Sequence, residues 1–267
     1  MAGRHFRYDG GRGALTGEFC AFRMVELRKV IRNLAIDKAT GPDGTPSEIY
    51  RNMPALVAPL QTLFTDIMTS GNLPQALRTL YIAPLGKKGR EPTLCRNKRP
   101  ISPICIEANI LEGLVRNRLP KLFESKLTEC QYASLRERGT EFHLAELQEF
   151  IRKAREQGKY IYVAAIDVEA AFDSVPHDCV LQTLRDWGVG RHTMRYLRKW
   201  PEGRRFAIRL RSPTGVHYSS YSKLTRGLSQ GEIISPPLWL SHFNSKKEQL
   251  DACRAKRRSA DLPEKTE

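Results

Sequence analysis

At 267 residues the chain can hold one large domain or two small ones, and with 40 % of its residues hydrophobic it can build a real core. Lysine and arginine number 44 against 29 acidic residues, giving a formal charge of +15, which points to a polyanionic partner because cations facing phosphates release counterions on binding. The composition excludes a membrane span, for which roughly 18 consecutive apolar residues are needed, and the first ten residues, with Arg4, His5 and Arg7, lack a secretory pattern. Six scattered cysteines without a CxxC pair argue against zinc and disulfide frameworks and for reduced thiols in an intracellular setting.

Residues 1–22 read as a basic, disordered N-terminal segment. From Arg23 the apolar positions Met24, Leu27, Val30, Ile31 and Leu34 fall at helical spacing and stop near Asp37. The stretch KATGPDG, residues 38–44, is a loop by its Gly and Pro content, and Thr45, Pro46 and Glu48 then fit a capping box with Pro at the first helical position. A helix is expected over residues 56–69, ending at Gly71, followed by a strand over 80–85 and a basic loop carrying Lys87, Lys88 and Arg90. Pro100 and Pro103 make residues 99–105 extended. Residues 107–119 and 141–155 have helical patterns, the second with Leu144, Leu147 and Ile151 on one face.

Residues 160–168, YIYVAAIDV, form a short β-branched and aromatic run with Gly158 before it, the pattern of a fully buried strand. Asp167 lies near its far end. A buried carboxylate must be paired, hydrogen-bonded or bound to a metal, so Asp167 is either a metal ligand or a strand-end residue capping the next turn. Residues 179–187 and 192–200 read as short helices, and 206–211 with 217–224 as a hairpin about residues 212–215. In RGLSQGEIISPPLW, residues 226–239, two glycines flank Leu228, Ser229 and Gln230 and let backbone approach a ligand closely. Ser235 followed by Pro236 is a helix start. After Trp239 the sequence is almost wholly polar, either a solvated helix or a disordered tail.

These blocks resemble, in order and spacing, the reverse transcriptases of non-LTR retrotransposons and, more distantly, those of group II introns. Five of them cover residues 23–239: KATGPDG with the helix before it, IAPLGKKG through RPIS to Arg118, QYASLRERGTE from Gln131, AIDVEAAFDSVPHD, and RGLSQGEIISPP. The resemblance implies an α+β fold of right-hand polymerase type, with helix-rich fingers and a partial palm built on a small antiparallel sheet. It divides the chain into fingers and a fingers–palm region over 23–158, a partial palm over 159–240 and a polar, disordered tail over 241–267.

The chemistry it implies is RNA-directed DNA synthesis, in which a primer 3′-hydroxyl attacks the α-phosphate of a deoxynucleoside triphosphate, with an RNA template, a DNA primer and Mg2+. By the same resemblance Asp167 is catalytic and a metal ligand, and Val168 offers the metal its backbone carbonyl. Phe172 sits under the sugar, Gln230 and Gly231 line the incoming nucleotide, and Lys87 and Arg99 grip the triphosphate. Asp173 is expected to hold the turn after the strand. The family's second acidic pair, two adjacent aspartates in a later hairpin, has no counterpart, because the sequence holds no Asp-Asp dipeptide. Ala133 and Ser134 also replace a common Gly-Phe pair, and Ser229 stands where proline is frequent. The sequence therefore reads as a domain cut short before that hairpin and inactive alone, with a non-catalytic nucleic-acid-binding remnant as the alternative.

Overall fold

The computed structural model describes residues 21–91, 93–119, 123, 125–128, 131–135 and 139–260, the side chains of 253–260 excepted. Most of the expected basic N-terminal segment, residues 136–138 of the third block and the last seven residues lie outside these.

Helix α1 (Met24–Arg32) forms where the apolar spacing demands it, burying Leu27, Val30 and Ile31. Its start is closed by the Arg23 backbone N–H donating to Glu26 at 2.8 Å. A short α2 (Ser47–Asn52) follows without side-chain capping. The expected box does not form, because Glu48 instead accepts the Asp37 backbone N–H at 2.8 Å, tying the helix to the turn before the loop. Helix α3 (Val57–Ser70) buries Phe64, Ile67 and Met68 and stops at Gly71, whose φ of 80° suits only glycine well. Its last carbonyls accept from His192 and Arg195, an arrangement that also suits the negative end of the helix dipole.

Strands β1 (Thr79–Gly86) and β2 (Lys98–Ile101) are antiparallel, and helix α4 (Ile106–Arg116) runs from the end of this pair into the centre of the molecule. Eight of its residues are buried, and Gly113 allows α1 close, since a Cβ there would stand 3.0 Å from Val30 Cγ1. Helix α5 (Thr140–Glu156) has the expected apolar face but buries none of its residues. It is supported instead by Arg152 pairing with Glu149 and Glu156. Helices α6 (His177–Asp186) and α7 (Arg191–Lys199) then return the chain to the core.

The expected hairpin is present as β3 (Arg205–Ser212) and β4 (Gly215–Tyr218), and a short β5 (Ser222–Lys223) pairs with β3. The sheet runs β2-β1-β3-β4. It is mixed rather than antiparallel, because β1 and β3 pair in parallel with Thr79 opposite Arg205. Such a pairing needs a long crossover, and α4 to α7 lie within it.

Two further expectations fail. Residues 160–168 form no strand and are not buried; Tyr160, Tyr162 and Ile166 are 93 %, 95 % and 88 % exposed. An apolar run becomes a buried strand only when neighbours take up its backbone groups and cover its faces. No described strand lies beside this one, because β1 and β3 pair with each other. The chain after Trp239 is not disordered as far as residue 260: α8 (Ser235–Ala260) is continuous and packs against α6. Its first half buries Leu238, Leu240, Ser241 and Asn244, and the Asn244 side chain accepts from the Thr128 backbone and donates to the Lys126 carbonyl.

A charged cluster lies inside the core. Arg204 pairs with Glu232, both buried, and stacks over the Trp200 ring at 4.4 Å. Glu112 of α4 accepts from Trp200 Nε1 at 3.1 Å. Burial first, and then the neighbouring Glu232 carboxylate, push Glu112 up to about 8 against the pull of Arg204. Tyr196, whose phenol is also held neutral by burial, completes the set.

Two outcomes follow from this packing. A Cβ on Gly41 would lie 2.5 Å from the Cys105 backbone nitrogen and 2.6 Å from the Ile104 carbonyl oxygen, neither of which can give way. Gly41→Ala should lower stability by at least about 1–3 kcal/mol, read as a shifted urea midpoint. Because folded Glu112 keeps a proton that the unfolded chain releases above the ordinary carboxyl value of 4.5, stability should fall as pH rises from there to about 8 and level off beyond. Glu112→Gln should flatten that slope in urea midpoints taken across the range.

Candidate nucleotide site

The segment around Gln230 is bounded on both sides by backbone hydrogen bonds. On one side Leu228 donates to the Phe172 carbonyl at 2.8 Å and Gly227 to that of Val175 at 3.0 Å. On the other, Ser102 donates to the Gln230 carbonyl at 2.7 Å, and Ile101 and Gln230 form an isolated parallel bridge. Gly227, at φ 89°, is required here: a Cβ would stand 2.7 Å from the Asp173 carbonyl oxygen. Gly231, at φ 111°, lies against Ile101 and Ser102. The His177 ring closes the near end on the Gly227 carbonyl at 2.7 Å.

This frame sets Gln230 beside Asp173, within reach of the charge of Lys87. Burial raises the Asp173 carboxyl pKa, while a hydrogen bond with the Gln230 side chain and the charge of Lys87 pull it down. Lys87 follows directly on β1, its backbone N–H donating to the Asn97 carbonyl at 2.8 Å and its ammonium to that of Arg96 at 3.0 Å. Arg99 is exposed on β2, opposite Leu85. Lys87 and Arg99 thus border the strand pair whose end carries Ser102, the anchor of Gln230.

Phe172 is half-buried in the turn that binds Leu228. Its ring stacks on Trp239 of α8 with centroids 5.8 Å apart and planes 19° from parallel, and Trp239 stacks in turn on Phe243. The Trp239 indole N–H donates to the Ala171 carbonyl at 3.1 Å, which fixes the helix to this turn. Asp167 and Val168 stand apart, solvent-exposed in the stretch before it. Among the described residues no three His, Cys, Asp or Glu side chains converge as a metal site. Asp167 with the Val168 carbonyl does not supply the oxygen cage that a pair of magnesium ions needs.

Sequence reasoning gave Asp173 a turn-holding role. The turn is closed instead by backbone, Ser174 donating to the Ala170 carbonyl at 3.0 Å, and the Asp173 carboxylate faces Gln230. It missed Glu112, Arg204 and Glu232 altogether. The one visible signal was Glu232 itself, an acid set directly before Ile233 and Ile234 and therefore carried into the core.

The comparisons converge on this stretch. A family model described as reverse transcriptase (RNA-dependent DNA polymerase) matches residues 85–256. The chain is 26 % identical over 222 residues to the RNA-directed DNA polymerase from mobile element jockey of Drosophila melanogaster, across 82 % of this chain and 24 % of that protein. It is 25 % identical over 210 residues to the Pol polyprotein from type-2 retrotransposable element R2DM of the same fly, across 77 % of this chain and 19 % of the other. With the transposon TX1 149 kDa protein of Xenopus laevis it shares 25 % identity over 174 residues, 65 % of this chain and 13 % of that one. The chain thus spans about a quarter or less of the length of these relatives. Lys87, Arg99, Asp167, Phe172, Gln230 and Gly231 all fall inside the matched residues, which make up more than half of the sequence, and the chain accordingly belongs to the reverse transcriptase family, in its non-LTR retrotransposon branch.

Proposed function

We propose that this chain forms the nucleotide-binding and template-binding part of an RNA-directed DNA polymerase, in the sense of fingers and a partial palm, and does not extend primers by itself. The observation that carries this reading is the backbone frame that ties Gln230 through Ser102 to the strand pair bearing Lys87 and Arg99. An ammonium and a guanidinium beside the strand pair suit a triphosphate, and the planar fork of Arg99 can hold phosphate oxygens bidentately. Gly231 has no side chain to keep a base or sugar from the backbone. Phe172, backed by Trp239, offers a flat apolar wall suited to a deoxyribose, and Asp173 orients the Gln230 amide.

In the reaction itself magnesium would neutralise charge on the attacking and leaving oxygens. Asp167 is the group here suited to hold part of it, and alone it does not complete the clamp. A non-catalytic nucleic-acid-binding role is the second reading, favoured by the charge of +15.

A primer-extension assay on an RNA template with magnesium should show no product from the purified chain; robust extension would refute the inactive half of the proposal. A fluorescent deoxynucleoside triphosphate, titrated with magnesium present, should bind the chain, and Lys87→Ala and Arg99→Ala should each weaken it. Binding of an RNA–DNA hybrid should fall steeply between about 50 and 200 mM salt. Hybrid binding that no triphosphate influences would favour the second reading.

A further inference from the structure

The same segment that carries Gln230 continues directly into the buried charges. Gln230 is anchored by Ser102, and Gly231 follows at φ 111°. Glu232 then pairs with Arg204 through both guanidinium end nitrogens and accepts from Ser235 Oγ at 3.4 Å. The next two backbone N–H groups, of Ile233 and Ile234, donate to one Glu112 oxygen at 3.0 and 3.4 Å. The other Glu112 oxygen accepts from Trp200, on whose ring Arg204 lies. Four side chains thus close a ring of contacts joining α4, the end of α7, the residue before β3 and the segment after Gln230.

Stability alone does not call for this arrangement. Well-packed apolar residues of similar volume often match or exceed a buried ion pair, and here Arg204 Nε is buried without a hydrogen bond. What charge supplies and apolar packing does not is direction. With Gln230 and Glu232 both fixed, the glycine between them has no freedom to turn, and the Gln230 side chain is aimed at Asp173. Helix α4 begins just after the strand pair bearing Arg99, so the cluster also sets Gln230 relative to that cation.

We propose that Arg204, Glu232 and Glu112 are positioning residues that hold Gln230 in register for an incoming nucleoside triphosphate, an inference that rests on the nucleotide-site reading above. None of the three needs to touch the ligand.

The test uses the full chain, the N-methylanthraniloyl derivative of dGTP with magnesium, and hydrogen exchange followed by mass spectrometry. Arg204→Met combined with Glu232→Leu leaves neither charge unpaired, so the fold should keep its thermal midpoint. Exchange in peptides covering 228–234 should nevertheless quicken, and affinity should fall about tenfold or more. Unchanged affinity and exchange in that folded variant would overturn the inference and leave the nucleotide site standing. Should the double variant not fold, Arg204→Lys keeps the charge but loses the fork, and it must show the same two changes in weaker form or the inference fails. A wild-type chain that binds no nucleotide would sink the site reading, and the nucleotide role of the three residues with it. Exchange would then show separately whether they order the segment.

Discussion

Three ionisable groups in a dry interior must be arranged as a set, since any one of them left alone would be a large penalty. Arg204 and Glu232 neutralise one another, and Glu112 avoids the problem by holding its proton and accepting three N–H groups. That arrangement dictates where the chain from Gln230 to Ser235 runs. Through it the positions of α4, β3 and the start of α8 are decided together. The sheet, the helical layer and the candidate site meet at this one place.

The site has a built half and an unbuilt half. Lys87, Asp173 and Gln230 are held by backbone ladders and by a glycine that no other residue could replace without a clash. Asp167 and Val168 sit in a stretch whose apolar side chains face solvent. On the proposed reading, recognition of a triphosphate would draw on the first half. Joining nucleotides would draw on the second.

What the sequence revealed was whatever depends on near neighbours. Helices α1 and α3, the Gly71 stop and the β3–β4 hairpin follow from periodicity and turn chemistry within a dozen residues, and the structure has them. Residues 160–168 show the limit of that logic, because their pattern states a capacity to pair and says nothing about a partner. The capping box at Thr45 gave way to a longer-range bond between Glu48 and Asp37. The polar tail counted as loose on composition, yet Leu238 and Trp239 just before it, with Leu240 and Asn244, were enough to dock a helix. Of the site, residues within familiar motifs were legible, while Glu112 and Arg204, far apart in sequence and ordinary in their surroundings, were not.

The parallel pairing of β1 with β3 joins residues 79–82 to residues 205–208. Closing so long a loop is entropically slow, and such distant contacts are the mark of sluggish folders. A ribosome must release β3 before β1 can find its inner neighbour, so for much of synthesis the β1–β2 ribbon waits with one side open. Lys87 and Arg99 therefore stand on the nascent chain well before Gln230, and the frame around that glutamine closes only after β3 has emerged.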